Sequence, residues 1–297
     1  MKRILIVGSG DVARRALPWL TTRFRVFAVV RREAEREPLR RLGAVPVLAD
    51  LDQPASLHRL AGIADFVLHF APPPAAGRGD PRTRDLLAVL RRRWSVAQRL
   101  VYISTTGVYG DCGGALVSET RPLAPSTPRA VRRVAAEAQL RDFGRRGGCR
   151  VSILRAPGIY AADRLSLERL RRGDPVLAEA DDVYTNHIHA DDLARVACLA
   201  IFRARPNRAY NVCDNSHMKM GDYFDLMAAT FDLPRPPRVT RVEAQRTLPA
   251  TTMSFMSESR RLSNRRLREE LRARLRYPDI GEGLRAARTQ DTVTEEE

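Results

Sequence analysis

The sequence predicts an α/β protein built on a doubly wound, mostly parallel sheet, with a smaller lobe supplied by its C-terminal part. Three observations predict it: six short apolar runs before residue 155, a stretch of helical length after each, and a glycine-rich turn directly behind the first run. Runs that are apolar throughout, rather than alternating, belong to strands buried on both faces. That is the condition inside a parallel sheet covered by helices on each side.

The runs are 4–7, 26–30, 45–49, 66–70, 100–104 and 151–154, each of strand length and rich in Val, Ile and Leu. Pro46 lies inside the third, where a central strand would lose a ladder hydrogen bond, so this strand is expected at or near an edge. After Leu154 the regularity breaks at Pro157, Gly158, Gly173 and Pro175. A helix is then expected over 191–203 and a strand over 209–212 that rejoins the sheet. Further helices over 222–231 and 263–271, joined through the proline-rich connector at 233–237, complete the smaller lobe. The chain is thus read as a sheet domain, 1–155, and a smaller second lobe, 156–297, with 190–213 returning to the sheet.

The chain has 297 residues, 33.3 kDa, and a formal charge of +16 from 51 basic and 35 acidic residues. Only Lys2 and Lys219 are lysines, so 49 of the basic residues are arginine. These arginines are spread over most of the helical stretches, without interleaved aromatics on which bases could stack, which argues against a nucleic-acid binder. No apolar run approaches the roughly 18 residues of a membrane span, and the run at 4–7 is far shorter than a signal-peptide core. The four cysteines, at 112, 149, 198 and 213, show no C-x-x-C spacing and read as reduced thiols, so a cytoplasmic protein is expected. The acidic tail Glu295, Glu296 and Glu297 reads as a solvated terminus.

Behind the first strand stands Gly8-Ser9-Gly10-Asp11-Val12-Ala13, a G-x-G-x-x-A turn opening a helix. The first glycine permits the turn, the second lets backbone approach a pyrophosphate, and the small third residue lets helix and strand pack closely. The helix amino end adds unpaired N–H groups and a positive dipole. Arg31 and Arg32 follow the second strand where an NAD site would carry a carboxylate; two guanidinium groups suit a 2′-phosphate, so NADP is favoured, with NAD the alternative. Asp50 is placed to accept from the adenine amino group, and Phe70, Ala71 and Pro72 to border the ribose.

Five further motifs, in order and spacing, resemble the extended short-chain dehydrogenase/reductase superfamily, the epimerase- and dehydratase-like Rossmann proteins and their atypical members. They are Ser104-Thr105-Thr106-Gly107-Val108-Tyr109-Gly110; Glu119-Thr120 with Pro122, Pro125 and Pro128; 154–160 around Arg155 and Tyr160; Asn186-His187-Ile188-His189-Ala190-Asp191-Asp192; and Tyr210-Asn211-Val212. Arg261-Leu262-Ser263-Asn264 and Tyr277-Pro278 resemble the closing segments of atypical members.

The resemblance implies that Thr105 hydrogen-bonds the reacting oxygen. It also places the family's catalytic Tyr and Lys at Arg129 and Arg133. Both residues are therefore absent, and a guanidinium cannot serve as general base near neutral pH. Arg133 is expected to reach the nicotinamide ribose in place of the Lys. The glycine turn also departs from the G-x-x-G-x-x-G usual in the extended group, which points to an atypical branch. Tyr109 and Tyr160 are read as walls or acids of the nicotinamide pocket. His187, His189, Asp191 and Asp192 look like a metal cluster on paper, but the family parallel makes them a strand-to-helix junction capped by an Asp, and no metal is expected.

Two functions follow as expectations. The first is hydride transfer between NADP and a small polar, sugar-like substrate; the second is a cofactor-loaded sensor or scaffold that has lost chemistry. A small-molecule substrate is the expected partner, and a homodimer stays open.

Overall fold

The computed structural model describes residues 1–92 and 97–295, with side chains through Thr289. Glu296, Glu297 and the side chain of Glu295, and with them the reading of the acidic tail, lie outside the described residues. Seven strands form the central sheet: β1 (Arg3–Val7), β2 (Arg25–Val30), β3 (Val45–Leu48), β4 (Phe66–His69), β5 (Arg99–Thr105), β6 (Arg150–Ala156) and β7 (Arg208–Asn211). Their order is β7-β6-β5-β4-β1-β2-β3, and every neighbouring pair is parallel. The strand order reverses between β1 and β4, which opens a crevice at their carboxyl ends.

Each apolar run became a strand because both its faces are covered. Ile4 and Ile6 of β1 pack with Leu17 and Leu20 of helix α1 (Asp11–Thr21) in one cluster. Leu5 and Val7, pointing the opposite way, pack with Leu86 of α2 (Pro81–Leu90) and with Leu140 and Phe143 of α3 (Pro128–Gly147) in another. Pro46 sits on the sheet's outermost strand, opposite Ala28, so its missing N–H breaks no central ladder. After α4 (Ala190–Arg203) the chain returns as β7 beside β6.

Beyond the carboxyl edge, α5 (Met220–Thr230) and α6 (Ile280–Glu295) enclose a separate apolar cluster that includes Tyr160, Val176, Phe224 and Leu284. The helix expected over 263–271 is confined to Arg265–Glu269. Arg261–Leu262 instead forms a strand beside Leu116–Val117, and Ser263 N donates to Val117 O at 2.9 Å, so backbone pairing takes the residues that would have begun the helix. Among the described residues all four cysteines are free thiols, and no helix is long and apolar enough to cross a membrane.

A buried polar network ties β5, β6, β7 and α3 together. The guanidinium of Arg155, on β6, donates through Nε and Nη2 to both carboxylate oxygens of Glu137, on α3, at 3.1 and 2.7 Å. Both side chains are at most 2% exposed. Ser104, on β5, donates to Glu137 Oε1 at 2.7 Å. Arg155 Nη1 donates to Tyr109 Oη at 2.8 Å, and Tyr109 in turn donates to Asn211 Oδ1, on β7, at 2.6 Å. Asn211 N donates to Glu119 Oε1 at 2.9 Å.

Removing one partner of a buried ion pair strands the other charge, a loss of about 3–5 kcal/mol, whereas removing both is much milder. Urea unfolding of Arg155→Leu is therefore expected to give a loss in that range, with the Arg155→Leu/Glu137→Leu double variant losing clearly less than the sum of the single changes. Strict additivity would mean that the two side chains stabilise the fold independently.

Candidate active site

The crevice between β1 and β4 begins at Gly8, whose φ of +97° suits only glycine. A Cβ there would lie 2.4 Å from Ala71 N, because Phe70 N and Ala71 N both fold back to donate to Val7 O at 2.7 and 2.9 Å. Gly10 is different. Its φ of −77° is open to any residue, and a Cβ would meet nothing within 4 Å. The space it leaves lies at the amino end of α1, where no side chain caps the helix. Free N–H groups beside room for a ligand form a cradle for a pyrophosphate, so the residues present fit a dinucleotide. Ser9 ties the turn to β2, its hydroxyl donating to Val29 O at 2.7 Å.

This cradle opens into a cavity of about 500 Å³. It brings together Gly8, Ser9, Gly10, Asp11 and Val12, then Arg31, Asp50, Phe70, Ala71, Pro72 and Arg133. Arg32 and Thr105 are not among its lining residues. Arg32 turns outward, 77% exposed, and pairs with Glu35 at 2.6 Å. The reason is local: Glu35 accepts from the backbone N–H groups of Arg31 and Arg32 at 3.2 and 3.4 Å, and the Arg32 guanidinium closes over the same carboxylate. Those bonds, that from the Arg32 side chain first, hold Glu35 below its ordinary pKa. The Arg31 side chain makes no hydrogen bond or ion pair within the described residues, and Asp50 keeps Oδ2 free while Oδ1 accepts from Asp52 N at 3.0 Å.

Reading the sequence missed Arg14, Glu35, Arg82 and Arg164, which also line the cavity. Asp11 would repel a phosphate at the helix end. Although burial works against its charge, hydrogen bonds from Arg164 at 2.8 Å and Arg15 at 2.7 Å neutralise it and hold its carboxyl below the ordinary range. Arg82 grips Asp52 with both arms, at 2.7 and 2.5 Å. Five guanidinium groups against three carboxylates leave the lining positive, as an anionic ligand requires.

Thr105 lines a second cavity of about 190 Å³, with Arg129, Tyr184, Glu258 and Arg260. Thr105 Oγ1 accepts from Gly107 N at 3.2 Å, which leaves its hydroxyl hydrogen available to a ligand. Arg129 stacks over the Phe255 ring at 4.6 Å. One helical turn on, Arg133 faces the first cavity, its Nη1 donating to Tyr102 Oη at 2.8 Å and Ile103 O at 2.6 Å. Tyr184, Glu258 and Arg260 belong to no motif; they come from short segments that only tertiary packing brings to Thr105.

Neither cavity includes Tyr109, which is a strut of the buried network, its hydroxyl pushed up to about 12 by burial. Tyr160 lines neither cavity; its buried hydroxyl has no partner, and burial raises its pKa. At the strand-to-helix junction it is His189, not an Asp, that caps α4, Nδ1 accepting from Asp191 N at 3.2 Å. Asp191 is held by Arg15 at 2.8 Å, and Asp192 accepts from the N–H groups of Arg276 and Tyr277 at 2.7 and 2.9 Å. Among the described residues no three His, Cys, Asp or Glu side chains gather as metal ligands.

The sequence profile of the NAD dependent epimerase/dehydratase family matches residues 4–213. The chain belongs to this family. A conserved protein of unknown function from Silicibacter pomeroyi DSS is 30% identical, with a TM-score of 0.83 over 98% of this chain and 99% of that one. Two more distant structures show the same fold. A UDP-glucose 4-epimerase from Thermotoga maritima, solved with UDP-glucose, is 18% identical, with a TM-score of 0.79 over 99% of each chain. A dTDP-glucose 4,6-dehydratase from Streptomyces venezuelae, solved with NAD, is 19% identical, with a TM-score of 0.77 over 97% of this chain and 96% of that one. No curated protein matches the chain. Arg129 reaches the Thr105 cavity from the first turn of α3.

Because the space at Gly10 is empty of protein atoms, Gly10→Val is expected to fold normally and to lose dinucleotide binding, read by circular dichroism and calorimetric titration. Wild-type affinity in the variant would place the cofactor elsewhere.

Proposed function

We propose that the chain is an NADP-favouring oxidoreductase or epimerase that moves a hydride to or from a small polar, sugar-like substrate. In this reading residues 1–155 hold the cofactor and 156–297 supply most of the substrate lobe. The observation that carries it is that the linings of the two cavities come close on one strand and on one helix. Ile103 lines the first and Thr105 the second, two residues along one strand and so on one face, roughly 7 Å apart. Arg133 and Arg129 repeat the arrangement one turn apart on α3, about 6 Å. A dinucleotide lying along the first cavity would have one end toward Thr105.

When bound, the nicotinamide supplies or accepts the hydride. Thr105 donates its hydroxyl hydrogen to the substrate oxygen, and Arg133 holds the end of the cofactor groove. Tyr184 is the one phenol among the lining residues of the second cavity, and so is the group suited to give or take the proton at that oxygen. Arg129 cannot do this, since its guanidinium stays protonated. That last point alone favours a second reading, a cofactor-loaded sensor without chemistry.

Cofactor choice rests on Arg31, unpaired at the rim, and on the engagement of Glu35 by Arg32. A charge-assisted contact of about 1.5–3 kcal/mol gives NADPH a roughly 10- to 100-fold tighter affinity than NADH. Calorimetric titration is expected to show that preference vanish in Arg31→Ala and persist in Arg32→Ala. Equal affinities in the wild type would remove the NADP assignment.

Keto-sugars and simple ketones are expected to turn over slowly, followed by NADPH oxidation. Turnover is expected to drop about 10²–10⁴-fold in Tyr184→Phe and about 10- to 100-fold in Thr105→Ala, both with unchanged NADPH affinity. Undiminished turnover in Tyr184→Phe would exclude it as the acid. Tight NADPH binding without any turnover would leave the sensor reading in possession.

A further inference from the structure

The second cavity has features that the proposed hydride transfer does not use, and they share one chemistry. Arg129 makes no hydrogen bond or ion pair within the described residues; its guanidinium lies over the face of Phe255, 4.6 Å from the ring centre. Stacking of this kind fixes the plane of a guanidinium while leaving its edge, with its fork of N–H donors, open. Arg260 is the second cation. Its Nη1 donates to Gly110 O and to Glu258 Oε2, each at 2.8 Å, but its Nε is buried and has no hydrogen-bond partner. With Nε out of a ligand's reach, it is the Nη2 end of the guanidinium, which makes no hydrogen bond within the described residues, that is left for a ligand oxygen.

The one carboxylate of the cavity is already engaged. Glu258 accepts from Arg260 and, on its other oxygen, from Ser126 Oγ. It therefore cancels one of the two guanidinium charges, and the charge of Arg129 remains. The cavity also lies against Thr127, Arg129 and Ala130 at the amino end of the 20-residue helix α3, whose dipole adds to the same sign.

The geometry points to a substrate that carries a carboxylate or a phosphate, its anionic oxygens held between Arg129 and Arg260 while its reacting oxygen meets Thr105. This deepens the proposed function and rests on it for the chemistry. The residue at the position of the family's proton-transferring Tyr thus binds the substrate's charge. An anionic group, rather than a neutral hydroxyl or ketone, is what the site selects, because a planar fork meets two oxygens at once.

The test is calorimetric titration of the full chain at constant ionic strength, with and without saturating NADPH. The probes are inorganic phosphate, glycerol 3-phosphate, lactate and, as the neutral control, glycerol. At least one anion is expected to bind and glycerol to bind at least tenfold more weakly. A response to phosphate and glycerol 3-phosphate identifies a phosphorylated substrate, and a response to lactate a carboxylic acid. Arg129→Gln, at an exposed position, is expected to weaken that anion about 10- to 100-fold with NADPH affinity unchanged, and Arg129→Lys to recover part of the loss. Arg260→Gln, checked for folding by circular dichroism, is expected to weaken it similarly. Anion affinity no better than that of glycerol, or unaltered in Arg129→Gln, overturns the inference. Failure of NADPH to bind would instead overturn the cofactor reading, and the titrations without NADPH would still decide whether the pocket holds an anion.

Discussion

The buried ion pair between Arg155 and Glu137 is the constraint on which the rest of the structure leans. Two opposite charges out of water are tolerable only when every remaining donor and acceptor finds a partner. Here those partners come from Ser104 at the end of β5, from Tyr109 just beyond it, and through Tyr109 from Asn211 on β7. The network thus clamps three adjacent strand ends and α3 at the level of the candidate site. Thr105 follows Ser104, and Arg129 and Arg133 project from the same helix as Glu137. Their positions are set by a charge pair that lines neither cavity.

A consequence is that several residues of the family motifs are struts. Tyr109, Glu119, Arg155 and Asn211 look like site residues when lined up in sequence, yet their polar atoms are spent on one another. Among the described residues, the groups lining the two cavities that keep unspent valence include the hydroxyl hydrogen of Thr105, the guanidinium of Arg129, Arg260 Nη2, Asp50 Oδ2 and the Arg31 side chain. Chemistry needs groups free to meet a ligand, so this difference separates site from scaffold more sharply than motif membership does.

The positive lining of both cavities also gives the arginine-rich composition a local meaning. Many of the surface arginines sit in ion pairs such as Arg146 with Asp142 and Arg288 with Asp232, where exposure and screening leave little net stabilisation. At the crevice the carboxylates are instead held by selected arginines, Asp11 by Arg15 and Arg164, Asp52 by Arg82. The surplus guanidinium groups there face space rather than acid.

The sequence by itself determined the sheet, because continuous apolar runs can be buried only between two layers of helices. It also determined the position of Pro46 on an outer strand and the crevice turn, where the positive φ and close backbone at Gly8 require glycine and the open space at Gly10 is left for a ligand. What it did not hold was anything that depends on which distant side chains meet. Arg31 and Arg32 are neighbours in sequence, and a local contact, with Glu35 three residues beyond Arg32, turned one of them away from the cavity. Two short segments far apart along the chain, at 184 and at 258–260, brought Tyr184, Glu258 and Arg260 to Thr105, and no periodicity marks them. The helix expected from 263 began at Arg265 because Arg261 and Leu262 pair with Leu116 and Val117 and Ser263 N donates to Val117 O. Local pattern decides which segments are strands and helices; the partners of a polar side chain are decided by long-range packing, and the site is made of those partners.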